Sequence, residues 1–461
     1  MENNTLQKNH LNIIETAAMS VAIMAPTAAM ALNVALMAST AGYSISLVFV
    51  FAIVVIGLVS VSFITFNRYF STSGSVYTFT TASLGKKVGF ISGWLLLLTY
   101  TMFTAGSVAE AGSFIQSFFQ ILHIHASWLI IALICTVVIA AISYFDIKLS
   151  TNLMFLLEGI SIVLILILSI VVLVKVGTTT GLSATPFKIN GNSFSNLGLA
   201  VVFGFMSFAG FEGASTLGEE ARNPKKMIPI AIGSAVLITG VFYLLVSYTQ
   251  VTGFGLNPGG IKALSSSASP LGDLSEKYIS NGYALVIMLG AGISAFSCAL
   301  GSAAAAARLL FTIGKDEKLF KVFSKTQQKY KSPHIALFTV SAVTFIMLLP
   351  MFKLPGSAVF SYLGTIAVLA LLVAYIATSI GAMVYFTRKK IWTVKNLIAP
   401  VLGTVALVYT FYSNIYPIPA FPSNIFPYIV LGWIVVGALI LAFTKQSEKP
   451  QKLGEAAEEY E

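Results

Sequence analysis

The 461 residues are 57% hydrophobic and only 10% charged, with a mean hydropathy of +0.87. Soluble domains carry about 25% charged residues, so a water-soluble globule is excluded and lipid is the solvent this chain suits. The net charge of +10 does not point to nucleic acid, because the basic residues sit in the gaps between apolar segments and form no single face or tract.

Residues 1–12 (MENNTLQKNHLN) are polar, and the apolar stretch behind them is too long for a cleavable leader, so it is expected to stay in the membrane. Apolar runs follow at 13–38, 43–66, 88–119, 127–145, 150–174, 196–217, 228–252, 281–311, 334–352, 357–386, 397–413 and 425–444. Each is long and continuous, where barrel strands would alternate every second residue. The expectation is an all-α polytopic membrane protein with twelve transmembrane helices. A cytoplasmic N-terminus leaves only Lys175, Lys188, Lys262, Lys277 and Lys353 of the 27 basic residues outside, which predicts that both termini are cytoplasmic. The stretch 253–280, rich in Gly, Ser and Pro, is the longest outer connection, and 445–461 reads as a polar cytoplasmic tail.

Two spans carry residues that spoil a helix. Pro26, within Met24-Ala25-Pro26-Thr27-Ala28, removes a backbone donor and clashes with the preceding turn. Gly204 and Gly210 weaken the sixth span, which also holds Glu212. A simple kink explains either break alone. Five spans apart, the two breaks lie in oppositely directed helices, the pattern of an inverted repeat with a site at the bilayer midplane. Free N–H groups at one half-helix suit a carboxylate and exposed carbonyls suit an ammonium, so the pair forms a receptor for a zwitterion. Phe205, Phe208 and Phe211 either line that receptor or face lipid and core.

Three acids lie at membrane depth: Glu110, Glu158 and Glu212. Ionisable groups there are expensive and usually face a cavity. Glu110 shares a helical stripe with Thr99, Phe103 and Ser107, which makes Glu110 a candidate for reading a substrate amine and Phe103 a candidate for lining the same site. Glu158 has no basic residue in its own span, so it and Glu212 are candidates for exchanging a proton. The alternative is a neutral acid hydrogen-bonded between helices. Cys135 and Cys298 both lie in apolar runs, and the four histidines sit near span ends or in loops. Neither a metal site nor a cofactor is expected, and no Walker-type loop is present.

Residues 218–232 (GEEARNPKKMIPIAI) resemble the loop after helix 6 in the amino acid–polyamine–organocation superfamily, which shows E-E-x-x-N-P and then a proline before helix 7. SGSVYTF at 73–79, with Gly85, Gly89 and Gly93-Trp94, is similar to that family's entry into helix 3. RLLF at 308–311 with GKD at 314–316 is similar to its helix 8 exit, and KSP at 331–333 to its link into helix 9. The resemblance implies a leucine-transporter-like fold. Two inverted five-helix repeats would cover about 13–174 and 196–386, and two further helices 397–444. It implies substrate binding at Ala25, Pro26 and Thr27, opposite Ser207, Phe208, Ala209 and Gly210. Many members have a G-[ST]-G break where this chain reads Ala-Pro-Thr, and some have a helix 5 lysine where Ser161 stands here.

The expected function is therefore alternating-access transport of an amino acid across the cell membrane, with protons as the coupling ion. The alternatives are a polyamine or other organic cation as cargo, with Glu110 as counter-charge, or amino acid exchange. An enzyme would need a catalytic cluster at membrane depth, and a passive channel a continuous polar lining; the sequence offers neither.

Overall fold

The computed structural model describes residue 6 and residues 8–145 and 147–443. The tail expected at 445–461 lies outside the described residues, as do residues 1–5 and 7 of the polar N-terminal stretch.

Among the described residues the fold is helical, with one isolated bridge between Leu11 and Ala221. The first half runs through α1 (Ile13–Met24), α2 (Pro26–Ala41), α3 (Ile45–Tyr69), α4 (Val76–Leu84) and α5 (Lys86–Ile121) to α6 (Trp128–Tyr144) and α7 (Ile147–Thr179). The second half begins with α8 (Phe194–Phe208) and continues through α9 (Pro224–Phe254), α10 (Pro258–Ser266) and α11 (Pro270–Tyr278). It ends with α12 (Asn281–Asp316), α13 (His334–Leu348), α14 (Gly356–Arg388), α15 (Val394–Ser413) and α16 (Phe426–Phe443). The stretch 253–280, expected as a connection, folds into the two short helices α10 and α11, each started by a proline whose missing N–H costs nothing at that position.

Among the described residues, ten helical stretches are long and apolar enough to cross a membrane. The first two of the twelve predicted segments both fall in one 57-residue stretch, Ile13–Tyr69, within which Gly42, at φ 53° and ψ −122°, ends α2 and a short 3-10 turn at Gly42–Ser44 leads directly into α3. Trp128–Tyr144 is apolar but only 17 residues long, about 26 Å at 1.5 Å per residue.

The core sits around α5 and α12. Small residues let α12 approach its neighbours closely: Ala303 through Ala307 are all buried. Against this centre pack α14, α1 and α7. The outer helices turn large apolar side chains outward, such as Ile134 on α6, Val174 on α7, Val405 on α15 and Leu431 on α16. In water such a surface would aggregate; in a bilayer it is the ordinary lipid-facing side.

α1 starts at a capping box in which Asn12 and Glu15 satisfy each other's backbone N–H groups. The chain just before it is tied to the 218–232 segment: His10 and Leu11 donate N–H bonds to the Glu220 carbonyl, and Arg222 donates to Leu11. The Glu220 carboxylate takes a two-pronged ion pair from Arg308 at 2.6 and 3.1 Å, and both side chains are buried. The motif residues that carry the resemblance thus hold one end of α1 against α12.

Candidate functional site

Both predicted breaks are present. α1 ends at Ala25, a left-handed residue at φ 41° and ψ 64°, and α2 restarts at once with Pro26. A non-glycine residue there costs about 1–2 kcal/mol, so the surrounding contacts must hold it. α8 ends at Phe208; Gly210 has φ 93°, and a 3-10 turn follows over Gly213–Leu217.

In an apolar interior every freed backbone group needs a partner. At the first break, the Cys298 thiol donates to the Ile23 carbonyl at 3.0 Å. The Tyr243 hydroxyl lies 2.6 Å from the Ser207 carbonyl and 3.4 Å from that of Met24, joining the two breaks. Thr27 N–H donates to Glu158 Oε1 at 3.0 Å, and Ala28 N–H to Ser294 Oγ at 3.1 Å. At the second break, Ser20 Oγ donates to the Phe211 carbonyl and accepts from Ala214 N–H, at 2.7 and 3.0 Å. The Glu212 carboxylate accepts from the Tyr100 hydroxyl at 2.8 Å and from the Tyr375 hydroxyl.

A small cavity of about 10 Å³, on the scale of one water molecule, opens beside the first break. Its wall includes Ala25, Ala28, Asn33, Phe103, Ser107, Glu110, Met206, Cys298 and Phe360. Glu110 is 2% exposed, and its Oε1 has no hydrogen-bond partner. Asn33 donates from Nδ2 to Ser207 Oγ at 2.8 Å, while its Oδ1 is likewise unpartnered. The cavity's free side-chain oxygens on Glu110 and Asn33 are acceptors, suited to an ammonium group. A larger space of about 250 Å³ between Trp94, Leu310, Phe320, Val343 and Trp433 has almost wholly apolar walls and suits acyl chains better than a polar solute.

Three of the residues predicted to bind substrate, Ala25, Phe103 and Glu110, therefore meet in one wall. The others stand apart from it. Pro26 and Thr27 are not part of the lining; Thr27 is turned to Glu158. Ser207 reaches the site only through Asn33, and Phe208 packs edge-on against Tyr243, with centroids 4.8 Å apart. Ala209 and Gly210 pack on α1: a Cβ at Gly210 would come within 2.0 Å of Ile23 Cγ2. Phe211 lies against Phe63 and Tyr375 rather than the cavity. Among the proton candidates, Glu158 and Glu212 each sit at one break. The reading from sequence missed Asn33, Tyr243, Ser294, Met206 and Phe360. Asn33 was detectable, since an amide inside an apolar span carries the same signal as an acid there.

Two discontinuous helices facing each other inside a bundle of lipid-compatible helices define a multi-pass membrane protein with a broken-helix site. The chain belongs to the amino acid permease family of the amino acid–polyamine–organocation superfamily, which it matches over residues 11–440. That family and the relatives named below are permeases, not enzymes. The branched-chain amino acid permease BcaP of Bacillus subtilis (strain 168) is 29% identical over 307 residues, covering 62% of this chain and 63% of that protein. This chain thus aligns with slightly less than two thirds of that relative's length. The methylthioribose transporter of the same strain is 27% identical over 361 residues, covering 74% of this chain and 73% of that protein. The low-affinity putrescine importer PlaP of Escherichia coli (strain K12) is 22% identical over 304 residues, covering 65% of each.

Proposed function

We propose that this permease is a secondary active carrier that moves a small amine-bearing solute, an amino acid or an organic amine, across the cell membrane by alternating access. The observation that carries this reading is the unpartnered Glu110 carboxylate oxygen, buried in a cavity wall that includes the broken turn at Ala25. A charge held there without a partner is costly and gains one when an ammonium group enters. The cavity has room for about one water, so the helices around it have to move apart to admit a solute, as alternating access requires.

In this reading the chain has twelve spans, with two inverted repeats over 13–174 and 196–386, two further helices at 397–444, and both termini in the cytoplasm. The paired breaks, one in each repeat, support it. Protons are the coupling ion, exchanged at Glu158 or Glu212. Glu158 reaches the first break from within α7 and Glu212 lies in the second, so a change of charge on either would bias the two states differently.

The family and the resemblance to BcaP favour an amino acid as cargo. The resemblance to PlaP and the acceptor character of the cavity favour an organic amine. Reconstituted carrier in proteoliposomes, given labelled amino acids and amines under an inward proton gradient, is expected to concentrate at least one of them and to stop when the gradient is collapsed. Uptake that persists without the gradient would remove the coupling, and uptake of neither class would remove the carrier reading.

A further inference from the structure

A half-helix N-terminus normally offers an anion free N–H groups and the positive end of the helix dipole. At the start of α2 no such donor is free. Ala25 N–H closes back on the Val21 carbonyl at 2.9 Å, and Pro26 has no N–H. Thr27 N–H is taken by Glu158 Oε1 at 3.0 Å, Ala28 N–H by Ser294 Oγ at 3.1 Å, and Ala29 N–H by the Ala25 carbonyl at 2.9 Å. Glu158 is 1% exposed and reaches this seat from α7, 131 residues along the chain.

We propose that Glu158 is a specificity-determining residue: a built-in carboxylate that fills the anion seat of the first helix break, so that the carrier takes amines bringing no carboxylate of their own. The proposal rests on the carrier reading above and narrows its cargo. Two physical reasons support it. A cargo carboxylate placed at α2 would meet the Glu158 charge in a poorly screened interior, where like charges repel strongly. The cavity's own unpartnered oxygens, Glu110 Oε1 and Asn33 Oδ1, accept hydrogen bonds and so recognise an ammonium, while Ser107 Oγ can act in either sense. Proton exchange then falls to Glu212, which the seat does not use.

The test compares each amine with its parent amino acid: putrescine with ornithine, and 3-methylbutylamine with leucine. Binding to the purified full chain is measured by thermal shift and equilibrium dialysis, neither of which needs a gradient. The wild-type protein is expected to bind the amine at least tenfold more tightly in at least one pair. Glu158→Ala frees the Thr27 N–H and is expected to shrink that ratio at least tenfold, mainly by tightening the amino acid. Glu158→Gln keeps an acceptor oxygen but drops the charge, and should give an intermediate ratio. Wild-type binding of the amino acid as tight as the amine overturns the inference and leaves the carrier reading standing, as does a ratio unchanged in the variants. Binding of no member of either pair overturns both. The wild-type ratio and the Gln variant decide the matter even if the Ala variant does not fold.

Discussion

Both breaks borrow side-chain partners from distant helices, but the break at Ala25 borders a cavity, whereas the break at 209–212 packs directly on α1 and is anchored by the carboxylate of its own turn. Around Ala25 the donors and acceptors are met by Glu158 from α7, Tyr243 from α9, and Ser294 and Cys298 from α12. Around Gly210 the chain presses on Ile23, and Glu212 anchors to Tyr100 and Tyr375. The first arrangement leaves a cavity and unpartnered oxygens beside it; the second puts none of the predicted residues on the wall of that cavity. A break held by side chains from several helices can exchange partners as those helices move. The second break also takes side-chain partners, from Ser20, Tyr100 and Tyr375, but its close packing on α1 leaves less room for such exchange. In the proposed reading, cargo recognition belongs to the first break, and support together with the proton exchange at Glu212 to the second.

Substitutions that act on one break and not the other sharpen this contrast. The largest effect is expected at Gly210→Ala, which adds a Cβ at φ 93° within 2.0 Å of Ile23 Cγ2. Strained backbone and overpacking together should cost about 3 kcal/mol, read as a lowered midpoint of thermal unfolding in detergent. Trimming Ile23 to Ala in the same protein should recover part of that loss, because the two residues are in contact. If Gly210→Ala unfolds like the wild type, the close packing of the second break on α1 is wrong.

A smaller effect is expected at Ser294→Ala, which leaves the Ala28 N–H without its acceptor. A buried donor deprived of its partner costs about 2 kcal/mol. Amide exchange at Ala28 and Ala29 should quicken while the turn at 213–217 is untouched. Equal quickening at both breaks would mean they behave as one unit, contrary to the division drawn here.

Much of this was legible in the residues. Long apolar runs required helices, Pro26 and Gly210 marked the interrupted turns, and the buried acids marked where polar chemistry sits. The tightness of the turn between the first two segments was not legible: Gly42 ends α2, but only a 3-10 turn separates it from α3. Nor was the filling of the breaks. Thr27 meets Glu158, and Asn33 meets Ser207, only because tertiary packing brings together positions more than a hundred residues apart. Pattern along the chain locates a vacancy in the backbone ladder but does not say which side chain closes it. Phe208 and Gly210 show the same limit, since their spacing allows either the cavity side or the α1 side of the break.

Where the cargo rests is tested most directly through Cys298, a thiol in the cavity wall that is one of only two cysteines in the chain. In a Cys135→Ala background, alkylation of Cys298 reports access to this cavity alone. The account predicts that a transported amine at saturating concentration slows alkylation several-fold, and that Glu110→Gln removes the protection. Alkylation at the same rate with and without the amine, or protection that survives the loss of the Glu110 charge, would contradict it.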